Sequence, residues 1–302
     1  MILSLDIGGS KIAVGLIKKN KVFYFQKIEW QRPLAKQKFL NQIFSLIENY
    51  KLKIGNFTAI AVAVAGQVNK NGEVFITRHL LPQETKIKLK AILEKKFNLP
   101  VYLDNDANCF ILGEVFFGKA KNKKKVIGVT LGSGIGGGIV FDQKIYRGQN
   151  GYAAEFGHMI IQPNGIKCSC GKRGCWETYA SSQGIRYFYQ KLTGQKKSSE
   201  EIVQEFRKKK KPAIVTVKIV AIWLALGLAN IINILDPEII ILGGGLARFQ
   251  ALISLALKGA KKLLVVSSLR TKILVSLEPE KMTLLGASLL PLIELKNKKN
   301  KK

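Results

Sequence analysis

Twice in this chain a short apolar strand runs into a glycine turn and leaves it as a second strand. Residues 2–6 and 11–17 flank Gly8, Gly9 and Ser10, and Val126–Leu131 leads through GSGIGG (132–137) into Gly138–Phe141. Glycine in the turn between two such runs is the signature of a β-hairpin. A third glycine cluster, Gly243–Gly245, follows the strand-like run Ile239–Leu242. One layout used twice predicts two related α/β halves, each presenting a glycine turn toward a shared cleft. With 302 residues the chain is long enough for two domains, and its 28 glycines and 47% hydrophobic content fit an α/β enzyme.

Between the hairpins, residues 22–28 read as a strand and 36–50 as a helix, with Phe39, Ile43, Phe44, Leu46 and Ile47 at helical spacing. Ala59–Ala65 is a buried strand ending at Gly66, 86–97 looks helical, and Val101–Leu103 leads into DNDAN. Ala213–Leu235 is long enough to span a bilayer, but Lys218, Asn230 and Asn233 lie within it, so it is expected to be a buried core helix. Residues 1–8 lack a basic n-region and a cleavage site, which argues for a strand and against a signal peptide. The net charge of +29 is spread along the chain without aromatic interleaving or a nucleic-acid-binding motif. It is read as a solvated surface, with the lysine-rich tail disordered and with neither specific nucleic acid nor membrane as partner.

Gly132, Gly134 and Gly137 match G-x-G-x-x-G, yet the segment continues as a strand where a dinucleotide fold opens a helix. No G-x-x-x-x-G-K-[ST] is present. Two hairpin turns with exposed amides suggest a nucleoside triphosphate gripped from both sides. Asp6, beside Gly8, Gly9, Ser10 and Lys11, can hold Mg²⁺ through water while those amides hold phosphates. Asp104, Asn105 and Asp106 follow a buried strand, where a carboxylate suits a base that takes a hydroxyl proton. A helix N-cap at the same place is an equally good reading.

Three of the four cysteines and one of the two histidines fall within HMIIQPNGIKCSCGKRGCWE (158–177). His158, Cys168, Cys170 and Cys175 form an H-x9-C-x-C-x4-C set, the ligands of a closed tetrahedral Zn²⁺ site. A chance cluster or a disulfide is the competing reading; C-x-C bridging is strained, and the sparing, clustered use of cysteine indicates a reducing cytoplasm.

Together, DIGGSK (6–11), DNDAN (104–108), TLGSGIGGG (130–138), EFGH (155–158) and CSCGKRGCWETYAS (168–181) closely resemble the ROK family of bacterial glucokinases, other hexose and N-acetylhexosamine kinases and sugar-responsive repressors. The match runs from Met1 to about Leu290. It implies an α/β, two-domain actin-like and sugar-kinase (ribonuclease H-like) fold, with a duplicated β-hairpin phosphate-binding core and a cleft between lobes. It further implies a small lobe of 1–111 plus 284–296, a large lobe of 112–283, and a basic tail at 297–302. By resemblance Asp106 is the catalytic base, and Gly66, Asn105, Glu155, His158 and Glu177 bind the sugar. Gly9, Ser10 and Lys11 match the first phosphate turn, Ser133 and Gly134 the second, and Gly243 and Gly244 the nucleotide-side loop. The family's N-L-x-x-W-like segment is absent from TRHLLPQETKIKL (77–89), and Ala154 stands where a glycine is usual. DIGG begins at residue 6, which leaves no room for a repressor's helix-turn-helix.

The expected function is ATP-dependent phosphorylation of a hexose, glucose first, by a homodimer using Mg²⁺ and structural Zn²⁺. N-acetylmannosamine, N-acetylglucosamine, fructose or allose is the alternative within the class. A non-catalytic sugar-sensing regulator is the alternative outside it.

Overall fold

The computed structural model describes residues 1–9, 11–29, 35–69, 71–76, 81, 85–266 and 270–299. Ser10, and residues 77–80 and 82–84 of the 77–89 stretch that departs from the family pattern, lie outside the described residues. The chain divides into two compact units: Met1–Asn122 with Gln143–Ala153 and Glu278–Lys302, and Lys123–Asp142 with Ala154–Leu277. A boundary after residue 111 would cut a continuous helix, and 143–153 falls in the first unit.

The first unit is built on β1 (Ile2–Ile7), β2 (Lys11–Lys18), β3 (Lys21–Glu29), helix α1 (Lys36–Ile54) and β4 (Ala59–Val64). A small meander follows, β5 (Gln67–Val68), β6 (Val74–Ile76) and β7 (Thr85–Ile87), then α2 (Leu89–Phe97), β8 (Val101–Asn105) and α3 (Asp106–Phe117). The main sheet runs β3-β2-β1-β4-β8, antiparallel on the hairpin side and parallel from β1 to β8. Strand β4, AIAVAV, is buried throughout, and its alternation sorts the two faces. Ile60, Val62 and Val64 pack with Phe39, Ile43 and Ile47 of α1. Ala61 and Ala63 pack with Cys109 and Leu112 of α3 and with Ala287. On that side α3 lies against the helix Pro279–Ala287. A Cβ on Gly113 would come 1.9 Å from the Met282 carbonyl, and one on Gly286 would come 1.8 Å from that of Cys109. The final helix runs Leu290–Lys299, three residues into the stretch expected to be disordered. The expected helix at 86–97 begins only at Leu89, because Thr85–Ile87 pairs with Val74–Ile76.

The second unit opens with β9 (Lys125–Leu131) and β10 (Ile135–Phe141), an antiparallel hairpin around the second glycine turn. The strand Ile239–Gly243 joins β9 in parallel, and Lys272–Val275 joins it in turn. The order hairpin strand, first strand, parallel strand, parallel strand thus repeats that of β2-β1-β4-β8, as the duplicated glycine turns predict. Lys211–Leu235 forms one 25-residue helix with the length and composition to cross a membrane. It is a core helix: Val217, Val220, Leu224 and Leu228 are fully buried, alongside Ile127 and Val129 of β9.

Candidate active site

The register of the first sheet aligns Asp6 of β1 with Ala63 of β4, and Ala63 with Asp104 of β8. Asp6, Gly66 and the DNDAN segment therefore gather at the C-terminal ends of three parallel strands, the edge where α/β sheets bind ligands. Gly8 closes the first glycine turn by donating to the Lys11 carbonyl at 3.0 Å.

The N-cap expected at this segment is present, and Asn105 supplies it for α3. Its Oδ1 accepts from the amides of Ala107 at 2.9 Å and Asn108 at 3.2 Å, and its Nδ2 donates to the Gly66 carbonyl at 3.1 Å. One Nδ2 proton is left over for a ligand. Gly66 admits no side chain, since a Cβ would lie 2.7 Å from the Phe75 carbonyl. Asp106 is the first residue of α3 and is half-buried. Asp104 is buried beneath them. Its Oδ1 accepts from the Asn105 amide and the Asn108 side chain, and its Oδ2 takes Arg147 Nε at 3.0 Å and Nη2.

Burial above all, then the Asp106 and Glu280 carboxylates, push the Asp6 carboxyl well above its usual range, while Lys11 and Lys27 pull it down. A divalent cation beside Asp6 and Asp106 would reverse that penalty, and oxygen donors are what Mg²⁺ prefers. Lys11 Nζ pairs with Glu280 at 3.2 Å and Lys27 Nζ pairs with the same oxygen at 2.9 Å. Burial works to raise Glu280, but the two ammonium groups prevail and hold it at about 2.

In the second unit the loop 158–177 is pinned by Trp176. Its indole is fully buried, donates to the Trp223 carbonyl at 2.8 Å, and occupies the space that a Cβ on Gly227 would need. Burial of this kind is worth roughly 3–5 kcal/mol against alanine. The EFGH turn rests on β10 through two more glycines. A Cβ on Gly157 would strike the Ile135 carbonyl and one on Gly137 the Ala154 carbonyl.

His158, Cys168, Cys170 and Cys175 bring their ligand atoms within 4.8 Å of one another. Cys170 and Cys175 sulfurs are 3.6 Å apart, and Cys168 Sγ is 3.8 Å from His158 Nδ1. Metal–sulfur bonds of about 2.3 Å in a tetrahedron give edges of about 3.8 Å, so this donor set fits Zn²⁺. The three cysteines are free thiols. Burial pushes Cys168 upward and Cys175 to about 11, so a bound metal would displace protons and its uptake would weaken as pH falls. His158 has its two nitrogens differently engaged. Nδ1 faces Cys168 and lies 3.9 Å from Glu177 Oε1, while Nε2 lies 3.9 Å from Glu155 Oε2. Glu177 is buried and Glu155 exposed. Gly243 pairs in register with Thr130, and Gly244, at φ +84°, would clash with Leu131 if it carried a Cβ. The third glycine cluster thus sits beside the second glycine turn.

Each described residue singled out in the sequence falls in one of two clusters. Asp6, Gly8, Gly9, Lys11, Gly66, Asp104, Asn105 and Asp106 lie in the first unit, the remainder in the second. Arg147, Glu280, Ser181 and Gln183 were not singled out.

A family model described as "ROK family" matches residues 2–292. A glucokinase of Streptomyces coelicolor is 32% identical over 265 residues, covering 81% of this chain and 82% of the relative. An N-acetyl-D-glucosamine kinase of Mannheimia succiniciproducens is 31% identical over 280 residues, covering 89% and 91%. Among solved structures, the ROK family glucokinase of Streptomyces griseus in complex with glucose and AMPPNP matches with a TM-score of 0.84 and 28% identity, over 96% of this chain and 99% of that one.

Proposed function

This chain belongs to the ROK family and is a sugar kinase, and we propose that it transfers the γ-phosphoryl group of ATP to the 6-hydroxyl of glucose. The observation that carries the reading is the gathering of Asp6, Gly66, Asn105 and Asp106 at one edge of the first sheet, beside a glycine turn. Asp106 accepts the hydroxyl proton as the sugar oxygen attacks the γ-phosphorus and ADP leaves. Asn105 donates to the sugar through its remaining amide proton, the Gly66 carbonyl holding the other. Glu155, His158 through Nε2, and Glu177 are the proposed sugar ligands of the second unit. A buried acceptor such as Glu177 rejects a sugar that leaves it unpaired. The amides of Gly8–Lys11 and Gly132–Gly134, with Gly243 and Gly244, hold the nucleotide. Mg²⁺ held near Asp6 would supply charge neutralisation at the phosphates. Zn²⁺ on His158, Cys168, Cys170 and Cys175 would fix the loop that carries the sugar ligands.

The S. griseus complex supports glucose, while the M. succiniciproducens relative, at nearly equal identity to the S. coelicolor one, makes N-acetylglucosamine the second reading. ADP release with ATP should be measured over glucose, N-acetylglucosamine, N-acetylmannosamine, fructose and allose. The highest kcat/KM is expected with glucose. N-acetylglucosamine ahead of it would replace the substrate, and no ADP release with any of the five would overturn this assignment of substrate class. Unpaired thiols suit the reducing cytoplasm that this reading places it in. A homodimer is the assembly that the family resemblance implies.

A further inference from the structure

Within the second unit, the glycine turn and the cysteine loop are joined by contacts that neither motif needs for itself. The Ser133 carbonyl, at the tip of the turn, accepts from the Ser181 hydroxyl at 3.1 Å and from the Gln183 side-chain amide at 2.9 Å. The Ser182 amide donates to the Gly132 carbonyl at 3.0 Å. Three consecutive residues thus hold two consecutive carbonyls. Ser181 is fully buried, and the same hydroxyl caps the helix Ser182–Thr193 by accepting from the Gln183 amide.

In a planar trans peptide the carbonyl of one residue and the N–H of the next point in opposite directions. Tying down the Gly132 and Ser133 carbonyls therefore turns the N–H groups of Ser133 and Gly134 away from residues 181–183. Two successive amides aimed the same way are the elements of an anion cradle.

Glu177 adds a steric tie. A Cβ on Gly134 would lie 2.3 Å from Glu177 Oε2, so the carboxylate fills the space that glycine leaves. The same oxygen accepts from the Ile135 amide at 3.4 Å, and Glu177 stands two residues after Cys175. One buried carboxylate thus joins the segment that carries Cys175 to the turn.

We propose that Ser181 and Gln183 are positioning residues for the nucleotide phosphates, and that Glu177 makes the turn's geometry depend on closure of the cysteine–histidine cluster. This rests on reading 132–134 as a phosphate turn. Loss of the metal would then weaken nucleotide binding as well as sugar binding.

Calorimetric binding of ADP with Mg²⁺, and separately of glucose, to the zinc-loaded protein tests it. Gln183→Met, at a half-buried position, should weaken ADP binding about fivefold and Ser181→Ala about tenfold, the loss of one positioning hydrogen bond each. Ser181→Thr, which keeps the hydroxyl, should restore it. Glucose affinity and zinc content should stay within about twofold of wild type, the split that a merely structural role would not give. Stripping zinc from the wild type should lower ADP affinity too. Unchanged ADP affinity in Gln183→Met and Ser181→Ala overturns the positioning role; unchanged affinity after stripping overturns the link to the cluster. Should Ser181→Ala fail to fold, Gln183→Met decides alone. A wild type that binds no ADP would instead overturn the phosphate-turn reading beneath the proposal.

Discussion

Ala154 holds a backbone angle that its side chain resists. Its φ is +67°, in the left-handed region where a Cβ crowds the following carbonyl, at a position where the family resemblance calls for glycine. The angle is imposed by the packing of its carbonyl against Gly137. Ala154→Gly should therefore stabilise the protein by about 0.5–1 kcal/mol, the relieved strain exceeding the entropy that glycine adds to the unfolded chain. Denaturant midpoints measure this, and a midpoint unchanged or lowered by the substitution would remove the strain. Asp106 was legible as a candidate from residue type and place, while the residue that caps α3 became visible only in the Asn105 hydrogen bonds. Arg147 and Glu280 were illegible for a different reason. Their partners lie 43 and 269 residues away, and no local spacing marks an arginine or glutamate that the fold will bring to such a contact.

At the scale of elements, the DNDAN segment is held by a buried carboxylate that has one strong cationic partner. Removing that partner leaves Asp104 charged and uncompensated. Arg147→Met should cost about 3 kcal/mol of stability, with kcat falling as Asp106 loses its support. Asp104→Asn added to Arg147→Met should recover part of the stability, because the buried charge goes with its partner. Chemical denaturation of both variants checks this, and an Arg147→Met protein as stable as wild type would dismiss the pair. The glycine hairpins were readable because turn chemistry and alternating apolar residues are local. The start of α2 was not: Thr85–Ile87 follows a helical pattern, and only pairing with Val74–Ile76 makes it a strand. The cysteine loop was readable as ligands but not as a support for the second glycine turn. That link runs through backbone carbonyls, which no sequence pattern displays.

For the whole molecule, the duplication seen in the glycine turns reappears as the same strand order in both units. The charge of +29 does not shape that fold; it loads the surface. Self-repulsion of this size should make the thermal midpoint rise with salt as the Debye length shortens from about 30 Å at 0.01 M to about 8 Å at 0.15 M. Differential scanning calorimetry in NaCl checks it, and a midpoint that falls with added salt would mean that attractive ion pairs dominate instead. The central claim is that Asp106 is the base of an ATP-dependent sugar kinase. Its most direct test is glucose-dependent ADP formation by the wild type and Asp106→Asn side by side. Turnover is expected of the wild type, with a loss of about 10³-fold in kcat for the variant and its thermal midpoint preserved. A well-folded Asp106→Asn protein turning over at near the wild-type rate would contradict it.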